Sequence, residues 1–162
     1  MLESTEESVS SALKRARASL RQRYSAAGCS EPAPLPNSDV ERELVERLTR
    51  AFESSDVAGI VALLTNNVKF VMPPDEYDGR IAAGEFLELL ASTLWQHRGP
   101  RLIATRANGQ PAFGLYIWDP ASETMRAMGL LAITLAGHRI RTMTRFDESV
   151  LSHFGLSQNL VE

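Results

Sequence analysis

The chain has 162 residues, 44% of them hydrophobic, with a net charge of −3. That is room for one ordinary domain with an appendage, but too little for two complete domains. No run approaches the ~18 apolar residues of a membrane span, and the charged, Ser-rich start has no signal-peptide core, so a cytoplasmic protein is expected. Cys29 is the only cysteine, which excludes an internal disulfide and a cysteine-based zinc site, and the acidic balance argues against nucleic-acid binding by the whole surface.

The first predicted element is a helix from Ser4 to Arg23. Ser4 and Glu7 have capping-box spacing, and Val9, Leu13, Ala16 and Leu20 form one apolar stripe. Lys14, Arg15, Arg17, Arg21 and Arg23 against Glu6 and Glu7 give it a charge of about +3, whereas the chain from Tyr24 onward sums to about −5. On composition alone this is a solvated basic helix with its charges matched to the macrodipole. Residues 25–37, SAAGCSEPAPLPN, carry prolines at alternate positions and read as an extended, semi-rigid linker.

A domain over residues 38–162 follows. Ser38 opens a second capping box with Glu41, and Val40, Leu44, Leu48, Ala51 and Phe52 share a helix face. Asp56 caps a short helix with Val57, Ile60, Val61 and Leu64. Asn66 and Asn67 predict a turn into a strand, Val68 to Met72, which Pro73 and Pro74 end. A fourth helix starting at Asp78 or Gly79 buries Ile81, Phe86, Leu87, Leu90 and Leu94. From Arg101 the period changes to two. Strands are predicted at Arg101–Ala107, Ala112–Trp118, Met125–Leu135 and Ile140–Phe146, with turns at Asn108-Gly109, Asp119-Pro120 and Gly137-His138, and a short helix runs from about Ser149 to Phe154. Helices followed by an antiparallel meander predict an α+β domain with helices packed on one face of a curved sheet.

Two stretches resemble known families. STEESVSSALKRARASLRQR, Ser4 to Arg23, resembles the last helix of region 4 in extracytoplasmic-function sigma factors, of the form S-V-x-S-A-L-x-R-A-R. The order helix, helix, strand, helix, four strands is similar to that of SnoaL-like domains, α+β cones of the ketosteroid isomerase, nuclear transport factor and cystatin-like kind. FVMPPDEYDGRIAAGEFLELL, Phe70 to Leu90, resembles the SnoaL-like domain fused to the C-terminus of one group of those sigma factors. This resemblance implies a region-4 remnant at residues 1–24, a linker at 25–37 and a SnoaL-like domain at 38–162. It implies a regulatory domain that modulates how a sigma factor engages RNA polymerase, promoter DNA and its own other domains. Lys14, Arg15 and Arg17 would face DNA, mainly its phosphates. Region 2 and the rest of region 4 have no counterpart in the sequence, so no sequence-specific DNA binding is expected of this chain alone. The linker also lacks a D-G-G-G-type motif, and Asp75 and Glu76 stand where apolar residues are expected.

A cone encloses a pocket between the sheet and the helices, where relatives of this kind place an acid. The alternative reading is therefore an isomerase, polyketide cyclase or epoxide hydrolase with Asp75 or Asp78 as base. Asp78, Arg126 and Asp147 could form the Asp-Arg-Asp set of the hydrolases. Against this, Asp78 reads rather as an N-cap and Asp75 and Glu76 rather as a solvated loop. Tyr77 could donate into the pocket or pack on the helix. Arg126 and Arg145 could point inward to an anionic ligand or lie on the wet face. Met72, Trp95, Tyr116, Trp118, Met128 and Phe146 are candidate lining, with ordinary core packing as the other explanation. Ala112 and Gly114 leave room on the Tyr116 and Trp118 face, which could also serve a homodimer through the sheet. His97, His138 and His153 have no metal-ligand spacing, and no phosphate-cradling loop, G-x-S-x-G or dinucleotide motif is present, so no metal or cofactor is expected.

Overall fold

The computed structural model describes residues 31–96 and 98–160 together with Ser11, Lys14, Arg15 and Ser19. The chain divides into two compact units, Met1–Pro32 and Ala33–Glu162. In the first, Ser11, Lys14, Arg15 and Ser19 are helical and exposed. The Ser4 and Glu7 capping box, the apolar stripe, Arg17, Cys29 and His97 lie outside the described residues.

The second unit opens with α1 (Asp39–Glu53). The Ser38 hydroxyl accepts the Glu41 amide at 3.3 Å, one arm of the predicted capping box. The return arm lands one residue early, Glu41 Oε1 accepting the Asn37 amide at 2.9 Å. Asp56 caps α2 (Val57–Ala62) by accepting the Gly59 amide at 2.8 Å. Strand β1 runs from Leu64 to Met72 and starts earlier than predicted. Leu64 pairs with Ile140 and Lys69 with Thr142, so the Asn66-Asn67 segment is an irregularity inside the strand rather than a turn before it. Pro73 and Pro74 then turn the chain into β2 (Asp75–Asp78), a hairpin partner of β1. Asp75 and Glu76 are thus strand residues and not loop.

Helix α3 (Arg80–Leu94) begins at Gly79, which makes no side-chain cap bond, so the N-cap reading of Asp78 is corrected. Asp78 pairs with Lys69 across the hairpin instead, at 3.4 Å. Gly79 sits at φ +89, and this bend takes Asp78 out of capping position. Ala83, Phe86 and Leu87 form the buried stripe of α3, and Ile81, predicted inward, is 81% exposed.

Four strands follow: β3 (Arg101–Ala107), β4 (Gln110–Asp119), β5 (Thr124–Ala136) and β6 (Arg139–Phe146). Asn108 and Gly109 both have positive φ, as a tight two-residue hairpin turn requires. A 3₁₀ helix (Glu148–Phe154), capped by Asp147, and a two-residue strand β7 (Asn159–Leu160) end the fold. The sheet order is β2-β1-β6-β5-β4-β3, with β7 added to β5. All pairs are antiparallel except β1 with β6, so the curved sheet is mixed at that seam.

Each face of the sheet carries a core. On the concave face α1, α2 and α3 pack Leu48, Ile60 and Leu87 against Phe113, Ile133 and Met143. On the convex face Ala112, Tyr116, Met125, Ala127 and Leu130 pack against Leu151 of the 3₁₀ helix. A bulge in β5 at Met128–Gly129, opposite Leu115 and Tyr116, shifts the register between the two sides. Only glycine fits there: Gly129 sits at φ +130, and a Cβ would lie 1.9 Å from the Phe146 carbonyl oxygen.

Candidate functional site

The cone interior is lined by Phe52, Phe70, Leu87, Trp95, Ile117 and Leu131, with Met72, Met128 and Arg145 at its wall. Helix α1 delivers Phe52 and the end of α3 delivers Trp95, with ring centroids 5.6 Å apart. The remaining cavity is about 30 Å³. That admits a water or two, against the several hundred Å³ of ordinary ligand sites. In this conformation the cone is a packed core.

Of the eight candidate lining residues, Met72, Trp95, Met128 and Arg145 lie along this small cavity. Arg145 shares the concave face with Met143, and its Nη1 donates to the Met128 carbonyl at 2.5 Å. Its Nε is buried without a hydrogen-bond partner. The other four are elsewhere. Tyr116 and Trp118 belong to the convex core because β4 turns Phe113, Leu115 and Ile117 toward the helices and the alternate residues away. The Tyr116 hydroxyl donates to the Ser157 carbonyl at 2.8 Å, and burial raises its pKa. Phe146, opposite Leu130, is 43% exposed at the strand end. Tyr77 takes the packing role, stacked on Phe86 at 4.4 Å and tilted against Phe70 at 6.5 Å.

The catalytic candidates are not brought together. Asp75, Asp78, Arg126 and Asp147 are all exposed, and none lines the cone cavity. Glu76 and Asp78 flank Lys69 in a surface ion-pair set, Lys69 Nζ lying 2.8 Å from Glu76. Asp147 spends its carboxylate on the Ser149 hydroxyl and amide, which hold its pKa below the ordinary value. That direction is wrong for a base near neutral pH. Among the described residues no group of three or more His, Cys, Asp or Glu side chains converges as a metal site.

Among the described residues, Glu41 and Arg106 form a polar node whose pairing the sequence did not reveal. Glu41, 5% exposed, accepts Arg106 Nη1 at 2.7 Å, while Arg106 also donates to the Gly109 carbonyl at 2.6 Å and to Asn37 Oδ1 at 3.3 Å. The Arg106 hydrogen bond lowers the Glu41 pKa against the opposing effect of burial. This node ties the start of α1 to the β3–β4 hairpin, beside an open groove of about 570 Å³ floored by Val45, Ala104, Pro111 and Phe113. Glu41 has a recognisable capping role, but nothing in the sequence links it to an arginine so far along the chain.

Comparison with solved structures defines the class. An NTF2-like protein of unknown function from Mesorhizobium loti matches with a TM-score of 0.53 at 18% identity, covering 70% of this chain and 95% of that one. A cystatin-like protein of unknown function from Methylobium petroleophilum matches with a TM-score of 0.53 at 10% identity, covering 70% and 79%. The domain therefore has the NTF2-like, cystatin-like α+β cone fold that the element order implied.

Its sequence relationship is more particular. The chain is 31% identical over 157 residues to the ECF RNA polymerase sigma factor SigG of Mycobacterium tuberculosis, in both the CDC 1551 and H37Rv strains, covering 94% of this chain. It spans 40% of the length of these relatives. No family model matches the chain. The resemblance to extracytoplasmic-function sigma factors, carried in the sequence by the first helix and the Phe70–Leu90 stretch, is thus borne out along nearly the whole chain.

Proposed function

We propose that this chain is the C-terminal regulatory part of a transcription-initiation sigma factor, acting in the cytoplasm. In this reading residues 1–24 complete a promoter-reading module, residues 25–37 link it, and the cone at 38–162 modulates how the factor engages RNA polymerase and promoter DNA. The observation that carries it is the 31% identity to a sigma factor over 94% of the chain, spanning both the basic first helix and the cone. Lys14, Arg15 and Arg17 are the DNA-facing cations, contacting phosphates when the rest of the helix-turn-helix is present. A chain without that remainder retains no promoter fragment selectively at physiological salt. Among the described residues no helix is long and apolar enough to cross a membrane.

Two features support action through surfaces over chemistry: the packed cone and the dispersal of the candidate acids. A small effector in the cone would have to displace Met72 and Met128, and it would find the unpartnered Arg145 Nε at the wall. Such an effector raises the melting temperature without being consumed, whereas an enzyme substrate is turned over.

The test is reconstituted transcription with the whole factor and with one ending after residue 37. Removal of the cone changes transcript yield or the affinity for core polymerase at unchanged promoter sequence. Identical yield and affinity would exclude the regulatory role.

A further inference from the structure

The sheet has two outer edges, β2 and β3, and they meet solvent differently. β2 is four residues long, follows Pro73 and Pro74, and carries Asp75, Glu76 and Asp78, all of which keep an edge strand from pairing further. β3 holds seven residues, no proline and no bulge. It pairs with β4 in unbroken register from Arg101 with Tyr116 to Ala107 with Gln110.

The hairpin turn fixes which backbone groups of β3 face outward. Asn108 and Gly109 form a two-residue loop with positive φ, so Ala107 and Gln110 are its hydrogen-bonded closing pair. By the alternation of an antiparallel ladder, Arg101, Ile103, Thr105 and Ala107 then bond to β4, and the amides and carbonyls of Leu102, Ala104 and Arg106 point away from the sheet. Among the described residues no backbone group pairs with them.

The same three residues turn their side chains to the concave side. Leu102 enters the core, Arg106 reaches Glu41, and Ala104 lines the open groove of about 570 Å³ between α1 and the β3–β4 hairpin. Ala104 is exposed, and the groove also takes Val45 and Arg42 from α1. A row of outward backbone groups beside an apolar groove suits strand addition, in which main-chain bonds hold the added segment and its alternate side chains enter the groove.

Charge separates the occupants. Of the charged side chains lining the groove, Arg42 and Arg106 are cations, and the one acid, Glu41, is buried and bonded to Arg106. Arg101 adds a cation at the start of β3, and the strand holds no acid. Asp39 pairs with Arg42, but both side chains are exposed, where such a pair is weak. A second copy's β3 would bring the same arginines against these, whereas an acidic strand is matched.

We propose that the outer edge of β3 docks an extended acidic segment of a partner protein as an added strand. Its backbone bonds to Leu102, Ala104 and Arg106, an apolar side chain lies beside Ala104 and Val45, and a carboxylate reaches Arg42. This docking does not depend on the transcriptional reading.

The probe is a capped hexapeptide alternating glutamate and valine, titrated into the full chain, with hydrogen exchange read by NMR at the Leu102, Ala104 and Arg106 amides. At about 1 mM peptide, exchange at these amides slows at least about fivefold, while a lysine–valine peptide leaves them unprotected. Ala104→Pro removes one outward amide at an edge position that tolerates proline, and it abolishes protection at Leu102 and Arg106 with circular dichroism unchanged. Should that variant fail to fold, Arg42→Glu decides: the glutamate peptide weakens and the lysine peptide gains. An unchanged preference for the glutamate peptide in Arg42→Glu refutes the site. So does any of three results with the wild type or the folded proline variant: no slowing at about 1 mM glutamate peptide, equal protection by both peptides, or protection that survives Ala104→Pro. Amides already protected without peptide, in a chain that sediments as a dimer, would assign the edge to a second copy and overturn the proposal.

Discussion

The two faces of the sheet are both apolar but differ in how they are closed. The concave face is covered by three helices whose side chains interlock from Leu44 to Trp95, and the cavity among Phe52, Leu87 and Trp95 is only about 30 Å³. The convex face is covered by the single segment 147–160 over β3, β4 and β5. The difference teaches that burial alone does not measure commitment. Phe113 and Leu151 are almost equally inaccessible, but the layer over the first is three helices and the layer over the second is one short segment.

Substitutions should separate the two. Phe113→Ala is expected to cost about 3–5 kcal/mol in denaturant unfolding, because helices pinned on several sides cannot collapse into the space. Leu151→Ala removes a smaller side chain from a layer free to resettle, and about 2 kcal/mol is expected. Equal losses would mean that the convex layer is as rigid as the concave one.

A smaller effect lies at the Glu41–Arg106 node, with a specific pH signature. The folded pKa of Glu41 is depressed by its hydrogen bond from Arg106, so its contribution is present above the ordinary value of 4.5 and fades as pH falls through the lowered folded value. Glu41→Gln should therefore cost about 1–2 kcal/mol near pH 7 and progressively less in acid, measured by unfolding across the pH range. A constant loss at all pH values would show that packing, and not charge, holds α1 to the hairpin. Asp78→Asn is the smallest change, expected within about 0.5 kcal/mol because its ion pair with Lys69 is exposed. A loss of 1 kcal/mol or more would restore a structural role for that carboxylate.

Much of this was legible in the sequence because it is local. The stripe Leu44, Leu48, Ala51 and Phe52, the Asp56 cap and the Asn108-Gly109 hairpin depend on neighbours within four residues. The convex core was legible in principle. In β4, Phe113, Leu115 and Ile117 alternate with Ala112, Gly114, Tyr116 and Trp118, and apolar residues at both parities mark a strand buried on both faces. Assigning the second set to the cone pocket mistook one face for the other, since alternation fixes which residues share a side and not which side it is. The strand β2 was hidden by its charges, as Asp75, Glu76 and Asp78 are tolerated only because this short edge strand is exposed. The Glu41–Arg106 pair was beyond reach, being joined only by the packing of α1 on the β3–β4 hairpin.

The most direct measurement for the central claim is an immunoblot of the source organism with antibody to residues 38–162, run beside purification of its RNA polymerase. The account predicts a band well above 17.9 kDa that copurifies with polymerase, as expected of a chain spanning 40% of its sigma-factor relatives. A single band near 17.9 kDa absent from the polymerase fraction would contradict it.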